Sequence, residues 1–503
     1  MLVTDFRNYD WLSFIRSYGI VPRAKRQRRK TGADLVNIYA AFDIETSIIR
    51  NSDEHTDAHS FMYIWQFQIE DVLIKGRTWA EWFDFLLVFR SALIAFGNEI
   101  KAAKNPMLVV WIMNAAYEFS FISGLYPFQD EECFFRDVRK PIYFRMFEAF
   151  EFRCSYIQTN LSLKALTKQT GVPEKLSGQK FDYSKVRFPW TQLTDFEEDY
   201  TRVDVESLVA AMKYRIQRGG DTLLTVPLTS TGYVRRECKA SLKDRFLEIQ
   251  ALKPYKGENG VRIYRLLRAC FRGGNTHANR YYVGKICDDV YSYDIASSYP
   301  TQQLTQKFPM KPFKWLDGDL SIERVFMFIG LGYAVVGEYH FTNLRLRNPK
   351  EPIPYISLAR CETDNDFKVD NGRILKARYL EISLTEIDLE IVLDTYTFDK
   401  MEVTQCMVAQ KDYLPGEYRA VIQDYYNKKT ALKGVDSEDG KYMYMKSKNM
   451  LNSVYGMSAT DPIHQEIKYN GGDYTRSGYE TMSAEEVEKA LKSASFPYQW
   501  GVY

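Results

Sequence analysis

The sequence predicts a multidomain protein of the α/β and α+β classes. Its length of 503 residues corresponds to about three domains. Strand-like apolar runs and helical stretches alternate along the first 220 residues, as in an α/β domain. A mixed region of strand-like runs follows between Lys307 and Val403, with a helix-like stretch at Ser383–Thr395. Two basic helices come after it. These observations define the expected architecture.

Composition excludes several functional classes. Lysine and arginine (67) nearly balance aspartate and glutamate (65), so the net charge of +2 predicts no partner and any nucleic-acid surface must be local. The seven cysteines are odd in number and never spaced C-x-x-C, which argues against a disulfide framework or a zinc cluster and fits a reducing cytoplasm. The longest apolar stretch, Phe85 to Phe96, is interrupted by Arg90 and is too short to cross a bilayer. We expect a soluble protein without a membrane partner.

The N-terminal segment is predicted to contain a short helix and a basic arm. The helix ends near Ile20 and places Trp11, Leu12 and Phe14 on an apolar side. Six basic residues follow between Arg23 and Lys30. They either contact nucleic-acid phosphates, releasing counterions, or form a solvated connector. The sequence leaves both interpretations open.

The first acidic pair follows a predicted strand. Residues Val36–Phe42 are rich in β-forming side chains, and Asp43 and Glu45 come directly after them. Side chains two positions apart on a strand share a face, so both carboxylates are expected to point to one spot.

Two further polar clusters lie on later elements. A helical stretch (80–104) precedes a buried-type strand (107–113), whose carboxyl end carries Asn114 and Glu118. Thr194 begins a capping box, so the helix that follows places Tyr200 and Asp204 one turn apart on one face.

These carboxylates and the tyrosine are the parts needed for two-metal hydrolysis of a phosphodiester. One metal ion activates water, the second stabilises the leaving oxygen, and a tyrosine hydroxyl can orient the nucleophile. Mg²⁺ prefers such oxygen ligands, with Mn²⁺ as the alternative cation. The expected metal ligands here are Asp43, Glu45, Glu118 and Asp204.

A glycine pair and a central carboxylate occupy the middle of the chain. Gly273 and Gly274 follow Arg272 and either let the backbone approach a phosphate chain or form a plain β-turn. Asp294 lies in an aromatic, strand-like run that begins at Tyr291. It either binds Mg²⁺ or caps the next turn.

The last hundred residues are predicted to contain two basic helices. The first, 418–432, carries Lys428 and Lys429. The second, 441–455, places Lys448, Asn452 and Tyr455 on one face. Taken alone, such lysines usually form a solvated stripe.

The three N-terminal clusters read D-x-E, N-x-x-Y-E and Y-x-x-x-D in order. They resemble the motifs of the proofreading 3′–5′ exonuclease domain of family B DNA polymerases, which implies an RNase H-like fold. The second motif usually ends in aspartate, so Glu118 is a departure from the pattern. The resemblance implies that Lys180 assists hydrolysis, and Asn114 is a candidate DNA contact.

Three later stretches resemble polymerase motifs of the same family. Phe271–Gly274 resembles the aromatic-x-Gly-Gly motif that contacts template and primer. Asp294–Pro300 resembles motif A, and Lys448–Gly456 resembles motif B (K-x-x-x-N-S-x-Y-G). The roles that this resemblance implies are DNA contacts by Arg272, Gly273, Gly274 and Gly456; catalytic metal binding by Asp294; support of triphosphate or backbone by Ser297; rejection of a 2′-hydroxyl by Tyr299; and nucleotide binding by Lys448, Asn452, Tyr455 and one of Lys428 and Lys429.

The motif spacing and an insertion after motif A resemble the protein-primed, phage-type branch. The implied partners are primer-template and single-stranded DNA, deoxynucleoside triphosphates and a terminal protein, in the host cytoplasm. The implied segments are a basic arm (1–35), the exonuclease domain (36–220), a linker and palm with motif A (221–300), palm with a first insertion (301–410), helical fingers with motif B (411–460), and the start of a second insertion with part of the palm (461–503).

Motif C, Tyr-x-Asp-Thr-Asp, does not occur in the sequence. We therefore expect the N-terminal portion of a polymerase with an incomplete palm, to which a second polypeptide supplies motif C and the thumb. The alternatives are an autonomous 3′–5′ exonuclease and a non-catalytic remnant that binds DNA or terminal protein.

Overall fold

The computed structural model describes residues 1–23, 32–50, 58–172, 181–242, 257–318, 320–350, 353–458, 460–463, 466–470, 472–493 and 499–502. The chain forms two compact units. The first comprises Met1–Tyr233, Lys429–Lys446 and Glu466–Ser477; the second comprises Val234–Lys428, Ser447–Gln465 and Gly478–Tyr503. The finer division into six segments stays a prediction. No helix within the described ranges is long and apolar enough to cross a lipid bilayer.

A seven-stranded mixed sheet forms the centre of the first unit. Its strands are β1 (Ala40–Arg50), β2 (Ala58–Ile69), β3 (Val72–Gly76), β4 (Leu108–Ile112), β5 (Cys133–Asp137), β6 (Lys140–Met146) and β7 (Phe150–Cys154). Their order across the sheet is β3-β2-β1-β4-β7-β6-β5. Strand β4 runs parallel to both β1 and β7, whereas the other neighbours are antiparallel. The parallel centre explains why β4 is apolar throughout, since both of its faces are buried.

Strand β1 carries the first acidic pair, but in its middle. Asp43 and Glu45 lie on the face opposite the buried Phe42, so the predicted shared face is confirmed. The expectation that the strand ends before Asp43 was wrong, because β2 pairs with β1 along its whole length to Arg50. A register shift between Glu45 and Thr46 interrupts this pairing beside the carboxylates, a position where bulges often redirect side chains.

Helices cover the sheet of the first unit. They are α1 (Trp11–Tyr18), α2 (Trp79–Glu99), α3 (Ala115–Ile122), α4 (Ser155–Thr159), α5 (Leu163–Thr170), α6 (Asp195–Arg218) and α7 (Ser230–Leu242, which ends in the second unit), with a 3₁₀ turn at Asp130–Glu132. The capping box predicted at Thr194 is confirmed, because its side chain accepts from the Glu197 amide and the Glu197 carboxylate accepts from the Thr194 amide. The cap fixes where α6 begins and therefore which face carries Asp204.

A late hairpin of two strands, β16 (Glu466–Asn470) and β17 (Asp473–Ser477), belongs to the first unit. The Tyr469 ring packs edge-on against Phe119 of α3, with ring centroids 5.6 Å apart. The Tyr474 ring packs against Phe135 of β5 at 5.5 Å. Aromatic burial thus attaches this hairpin to the helix that carries Glu118.

An antiparallel eight-stranded sheet forms the centre of the second unit. Its main path is β11-β13-β10-β15-β8, with β12 paired to β13, β14 to β10 and β9 to β15. The strands are β8 (Lys307–Pro309), β9 (Lys314–Trp315), β10 (Tyr333–Leu346), β11 (Cys361–Thr363), β12 (Phe367–Asp370), β13 (Arg373–Thr385), β14 (Tyr396–Thr397) and β15 (Lys400–Tyr413).

The remaining helices include both predicted basic helices. They are α8 (Gly257–Cys270), α9 (Ser298–Thr305), α10 (Ile322–Gly330), α11 (Glu386–Thr395), α12 (Gly416–Ala431), α13 (Glu438–Ser458), α14 (Ala484–Ser493) and α15 (Gln499–Val502), with 3₁₀ turns at Arg280–Tyr282, Leu358–Arg360 and Tyr479–Thr481. The predictions for α12 and α13 are confirmed to within three residues at each end.

The strand expected around Tyr291 and Asp294 is not formed, so this prediction was wrong. Apart from the short turn at Arg280–Tyr282, residues 271–297 have no helix or strand. Tyr291 is 76% exposed and Tyr293 is 91% exposed. The local sequence favours a strand, but a strand requires a neighbour to pair with its amides and carbonyls, and no described residues pair with this segment.

Candidate functional site

An acidic cavity lies in the first unit where β1, α3 and α6 meet. Ligand oxygens of Asp43, Glu45 and Asp204 all lie within 4.8 Å of one another. Glu118 lies in the first turn of α3 and is hydrogen bonded to Asp43. The cavity has a volume of about 230 Å³, and its lining residues are Asp43, Met113, Asn114, Tyr117, Glu118, Leu163, Asp204 and Leu208. The structure therefore brings together all four carboxylates that the sequence singled out.

Glu118 is the most deeply buried of these carboxylates, with 3% of its surface exposed. Burial, and to a lesser degree the charge of Glu45, raise its pKa, and hydrogen bonds with its own backbone amide and with Asp43 lower it, so that the net pKa is about 8. Its Oε2 atom is buried without a hydrogen-bond partner among the described residues. An unsatisfied carboxylate oxygen beside three other carboxylates fits the ligand set of a hard divalent cation.

We expect cation binding at this cavity to release a proton from Glu118. Because the pKa of Glu118 is about 8, a cation competes with that proton at neutral pH, and affinity should rise by about tenfold per pH unit up to pH 8 and then level off. Titration calorimetry with Mn²⁺ in two buffers of different ionisation enthalpy measures the released proton. In Glu118→Gln the pH dependence should flatten; an unchanged slope would contradict this assignment.

Proton binding at Glu118 also sets the stability of the cation-free protein. The pKa of Glu118 is about 8 in the folded state and 4.5 in the unfolded state. Between pH 4.5 and pH 8 the folded state therefore binds more protons than the unfolded state. The contribution of Glu118 to stability is therefore greatest below pH 4.5 and declines as pH rises toward 8.

Tyr200 is nearly completely buried, with 2% of its surface exposed. Its ring packs against Phe181 with centroids 4.5 Å apart, and its hydroxyl is 2.7 Å from the hydroxyl of Tyr183. Tyr183 is 66% exposed, so the pair of hydroxyls connects the buried Tyr200 to solvent. Tyr183 was not identified from the sequence, because its contact with Tyr200 forms only when the loop before α6 folds against that helix.

Arg187 anchors this loop. Its guanidinium donates to Glu197 Oε1 from Nε at 2.8 Å and from a terminal nitrogen at 2.6 Å, and the side chains are 3% and 7% exposed. Its backbone amide donates to Ser47 Oγ on β1 at 2.8 Å. Burial alone would raise the pKa of Glu197, but the Thr194 amide and the cations Arg187 and Lys185 lower it to about 2.

Three stacked aromatic rings lie beside the same part of β1. The rings of Phe61 and Phe188 have centroids 5.4 Å apart, and those of Phe188 and Trp190 are 5.0 Å apart and tilted by only 3°. Phe61 pairs in register with Ser47, two residues beyond Glu45. Trp190, at the end of the stack, is 79% exposed. The stack therefore presents a flat aromatic face to solvent close to the acidic cavity.

A second group of predicted residues meets in the second unit. The rings of Tyr299 and Tyr455 are stacked, with centroids 4.4 Å apart and a 24° angle between their planes. A Cβ atom added to Gly274 would lie 3.5 Å from the Tyr299 hydroxyl, in ordinary contact. Lys448 and Asn452 are exposed on the α13 face that carries Tyr455. The structure thus brings residues of three predicted motifs together around one tyrosine pair.

Other predicted residues of the second unit occupy different surroundings. Asp294 is exposed on the irregular segment. The Arg272 side chain is directed inward, where it donates to the Ser383 carbonyl at 3.0 Å and lies 3.8 Å from the Asp388 carboxylate. A phosphate contact by this side chain conflicts with these internal contacts, whereas the backbones of Gly273 and Gly274 are exposed.

The lysines and the serine near the predicted nucleotide site have the following positions. Lys428 is exposed on α12 and pairs with Asp424 one turn earlier, and Lys429 is partly exposed. Ser297 has a φ of +52°, a strained conformation for a residue with a side chain, at the start of α9. Gly456 is exposed near the end of α13.

Two sequence predictions fall outside the described residues. Lys180 is one, and most of the basic arm after Arg23 is the other. Arg23 itself pairs with Asp34 at 2.7 Å and donates to the Ala33 carbonyl, so its charge is satisfied within the first unit.

Residues 252–496 match the family described as DNA polymerase type B, organellar and viral. The DNA polymerases of Bacillus phage Nf and Bacillus phage M2 are each 22% identical to this chain over 285 residues, which is 56% of this chain and 44% of those proteins. The aligned region thus spans less than half the length of these curated relatives.

The fold is similar to that of Phi29 DNA polymerase. The structure of that protein in complex with primer-template DNA and incoming nucleotides aligns with 93% of this chain, and the alignment covers 75% of the Phi29 chain. The TM-score is 0.62 and the sequence identity is 14%. The structure of its complex with single-stranded DNA aligns with 92% of this chain, and the alignment covers 76% of the Phi29 chain, with a TM-score of 0.61 and 14% sequence identity.

Proposed function

We propose that this chain is the exonuclease and nucleotide-binding portion of a protein-primed phage DNA polymerase, because residues 252–496 match the organellar and viral type B DNA polymerase family. The convergence of Asp43, Glu45, Glu118 and Asp204 at one cavity is the observation that carries the exonuclease proposal. The substrate is the 3′ end of single-stranded DNA, and the product is a deoxynucleoside monophosphate.

In the exonuclease reaction Asp43, Glu45, Glu118 and Asp204 would hold two Mg²⁺ or Mn²⁺ ions. Bound ions would activate the attacking water and stabilise the leaving 3′ oxygen. The hydroxyl pair of Tyr200 and Tyr183 orients the attacking water, because the buried member fixes the exposed one.

In the polymerase reaction the second unit binds the incoming nucleotide. Lys448 contacts its phosphates, aided by Lys428 or Lys429, while Asn452 and Tyr455 face the new base pair and Gly456 lets the template base approach. The stacked Tyr299 ring lies under the sugar. Asp294 would hold the catalytic metal ions once another segment pairs with residues 291–294 as a strand and adds a carboxylate. A second polypeptide with motif C and the thumb, and a terminal protein primer in the host cytoplasm, complete the proposal.

Reconstitution tests the polymerase proposal. The purified chain is mixed with the polypeptide from the adjacent reading frame, and Mg²⁺-dependent extension of a primer-template is measured. We expect extension from the mixture, and loss of extension when the chain carries Asp294→Asn. A reconstituted mixture that binds primer-template but never extends it would refute the polymerase half of the proposal.

Trp190→Ala is expected to weaken binding of a single-stranded oligonucleotide by ~1–3 kcal/mol, or about 5- to 150-fold, because the stack loses the face on which a base packs. Anisotropy of a labelled oligonucleotide, measured in the Asp43→Asn background to prevent cleavage, provides the affinity. Trp190→Phe should keep most of it. Phe134→Ala removes another exposed aromatic ring of the same unit and is the matched control. An equal loss of affinity in Phe134→Ala would contradict specific binding at the stack.

Tyr299→Val is expected to raise incorporation of ribonucleotides relative to deoxyribonucleotides by about 10- to 200-fold in the reconstituted reaction. A flat ring leaves no room for a 2′-hydroxyl, and valine does not fill the same volume. Tyr299→Phe keeps the ring and should keep the selectivity. An unchanged ratio of ribonucleotide to deoxyribonucleotide incorporation in Tyr299→Val would show that the sugar does not contact this ring.

An autonomous exonuclease is the second candidate function. The full acidic set lies within the first unit, whereas Asp294 lies on a segment that pairs with no strand in the described part of the chain. Under this alternative the chain degrades single-stranded DNA alone, and no added polypeptide elicits extension.

A further inference from the structure

A second group of metal-ligating side chains lies on the sheet of the second unit. His340 of β10 stands directly opposite Glu381 of β13, and Glu338 lies two residues earlier on the same face. The His340 Nε2 atom is 2.8 Å from Glu381 Oε2. Ligand atoms of all three side chains lie within 4.8 Å of one another. One imidazole nitrogen and two carboxylates therefore converge at a point that the proposed reactions do not use.

The neighbouring strand β11 adds negative charge beside this point, because Glu362 stands opposite Glu381. Glu402 of β15 stands opposite His340, but its charge is paired with Lys400 at 2.7 Å. Among the described residues, no lysine or arginine forms an ion pair with Glu338, Glu362 or Glu381. Like charges directly opposite each other destabilise a sheet, so a cation here would relieve repulsion across three strands.

Neighbouring donors already orient the two carboxylates of the group. Thr404 Oγ1 donates to Glu338 Oε1 at 2.6 Å, and Gln405 Nε2 donates to Glu338 Oε2 at 3.1 Å. The Tyr379 hydroxyl donates to Glu381 Oε2 at 3.2 Å. Hydrogen bonds of this kind fix the ligands in protein metal sites. The side chains of His340 and Glu381 are 26% and 28% exposed, so an ion can enter from solvent and is partly shielded once bound.

We propose that Glu338, His340 and Glu381 bind Zn²⁺, with water as the fourth ligand. A site with one nitrogen and two oxygens suits Zn²⁺, whereas Mg²⁺ prefers oxygen ligands alone. Zn²⁺ also binds such mixed sites more tightly than most other divalent first-row metals. The bound ion links β10 to β13 and stabilises the centre of this sheet. This role does not depend on nuclease or polymerase activity.

Equilibrium dialysis with Zn²⁺ in excess Mg²⁺ tests the proposal, using the full chain with Asp43→Asn to weaken the all-carboxylate cavity. We expect one tightly bound Zn²⁺, and about 10- to 100-fold weaker binding in His340→Ala and in Glu381→Gln. Glu402→Gln is the matched control, since this neighbouring carboxylate is paired with Lys400, and it should retain the affinity.

Co²⁺ provides a second readout in the same variants. The visible absorption of bound Co²⁺ reports a nitrogen ligand, and it should change in His340→Gln, a milder substitution that keeps a polar side chain on the strand. Absence of Zn²⁺ binding in the presence of Mg²⁺, or identical affinity and Co²⁺ spectra in the parent and both His340 variants, would overturn the proposal.

Discussion

Asp43→Asn is expected to lower the rate of nucleotide release from single-stranded DNA by about 10³-fold or more, equivalent to ~4 kcal/mol of transition-state stabilisation. Asp43 lines the acidic cavity and is hydrogen bonded to Glu118, so its loss removes a metal ligand and frees its buried neighbour. Release of labelled mononucleotide in the presence of Mg²⁺ measures the effect.

The control residue for this experiment, Asp199, lies on α6, the helix that also carries the predicted metal ligand Asp204. Asp204→Asn should reproduce the loss, whereas Asp199→Asn should retain activity, because Asp199 is exposed and pairs with Arg202. Comparable activity in Asp43→Asn and the parent chain would remove the exonuclease from the proposed function.

Arg187→Ala is expected to destabilise the loop before α6 by ~3–5 kcal/mol, because it leaves the buried Glu197 carboxylate without its main partner. The substitution itself removes the contact between the guanidinium and the Phe181 ring, and the hydrogen bond from the backbone amide of residue 187 to Ser47 would be lost as the loop opens. Hydrogen exchange of residues 181–193 measures the opening free energy directly.

Lys185→Ala is the matched control, since Lys185 contacts the same Glu197 oxygen at 3.3 Å but is 42% exposed. It should cost less than ~1 kcal/mol. Equal exchange in the two variants would contradict the role of Arg187 as an anchor.

Because the pKa of Glu197 is lowered from 4.5 to about 2, the stability that this pair provides is complete above pH 4.5 and is lost as pH falls through 2.

Local signals in the sequence predicted most of the acidic cavity. The alternation around Asp43 and Glu45 and the capping box at Thr194 depend on residues close in the chain, and these predictions are confirmed. The raised pKa of Glu118 could not be predicted, because it arises from burial between elements that are far apart in the sequence. The Arg187–Glu197 pair could not be predicted either, because it forms only when the loop before α6 packs against β1.

The second unit shows where local signals mislead. The run around Asp294 has the composition of a strand, yet pairing is a property of two segments, and this one lacks its neighbour among the described residues. Arg272 illustrates a related limit. A basic residue beside two glycines suggests a phosphate contact, but the Arg272 side chain donates to the Ser383 carbonyl and lies 3.8 Å from Asp388 instead. Both partners come over a hundred positions later in the chain.

The unpaired segment also affects how the purified protein behaves. Six of its apolar side chains are 68–95% exposed: Val283, Ile286, Val290, Tyr291, Tyr293 and Ile295. A β-prone stretch that is not paired in a sheet recruits any available strand, including the same stretch in another molecule. This segment should therefore set the solubility limit of the isolated chain, with self-association that increases with concentration. A polypeptide that supplies the correct neighbouring strand would act as a chaperone as well as a catalytic partner.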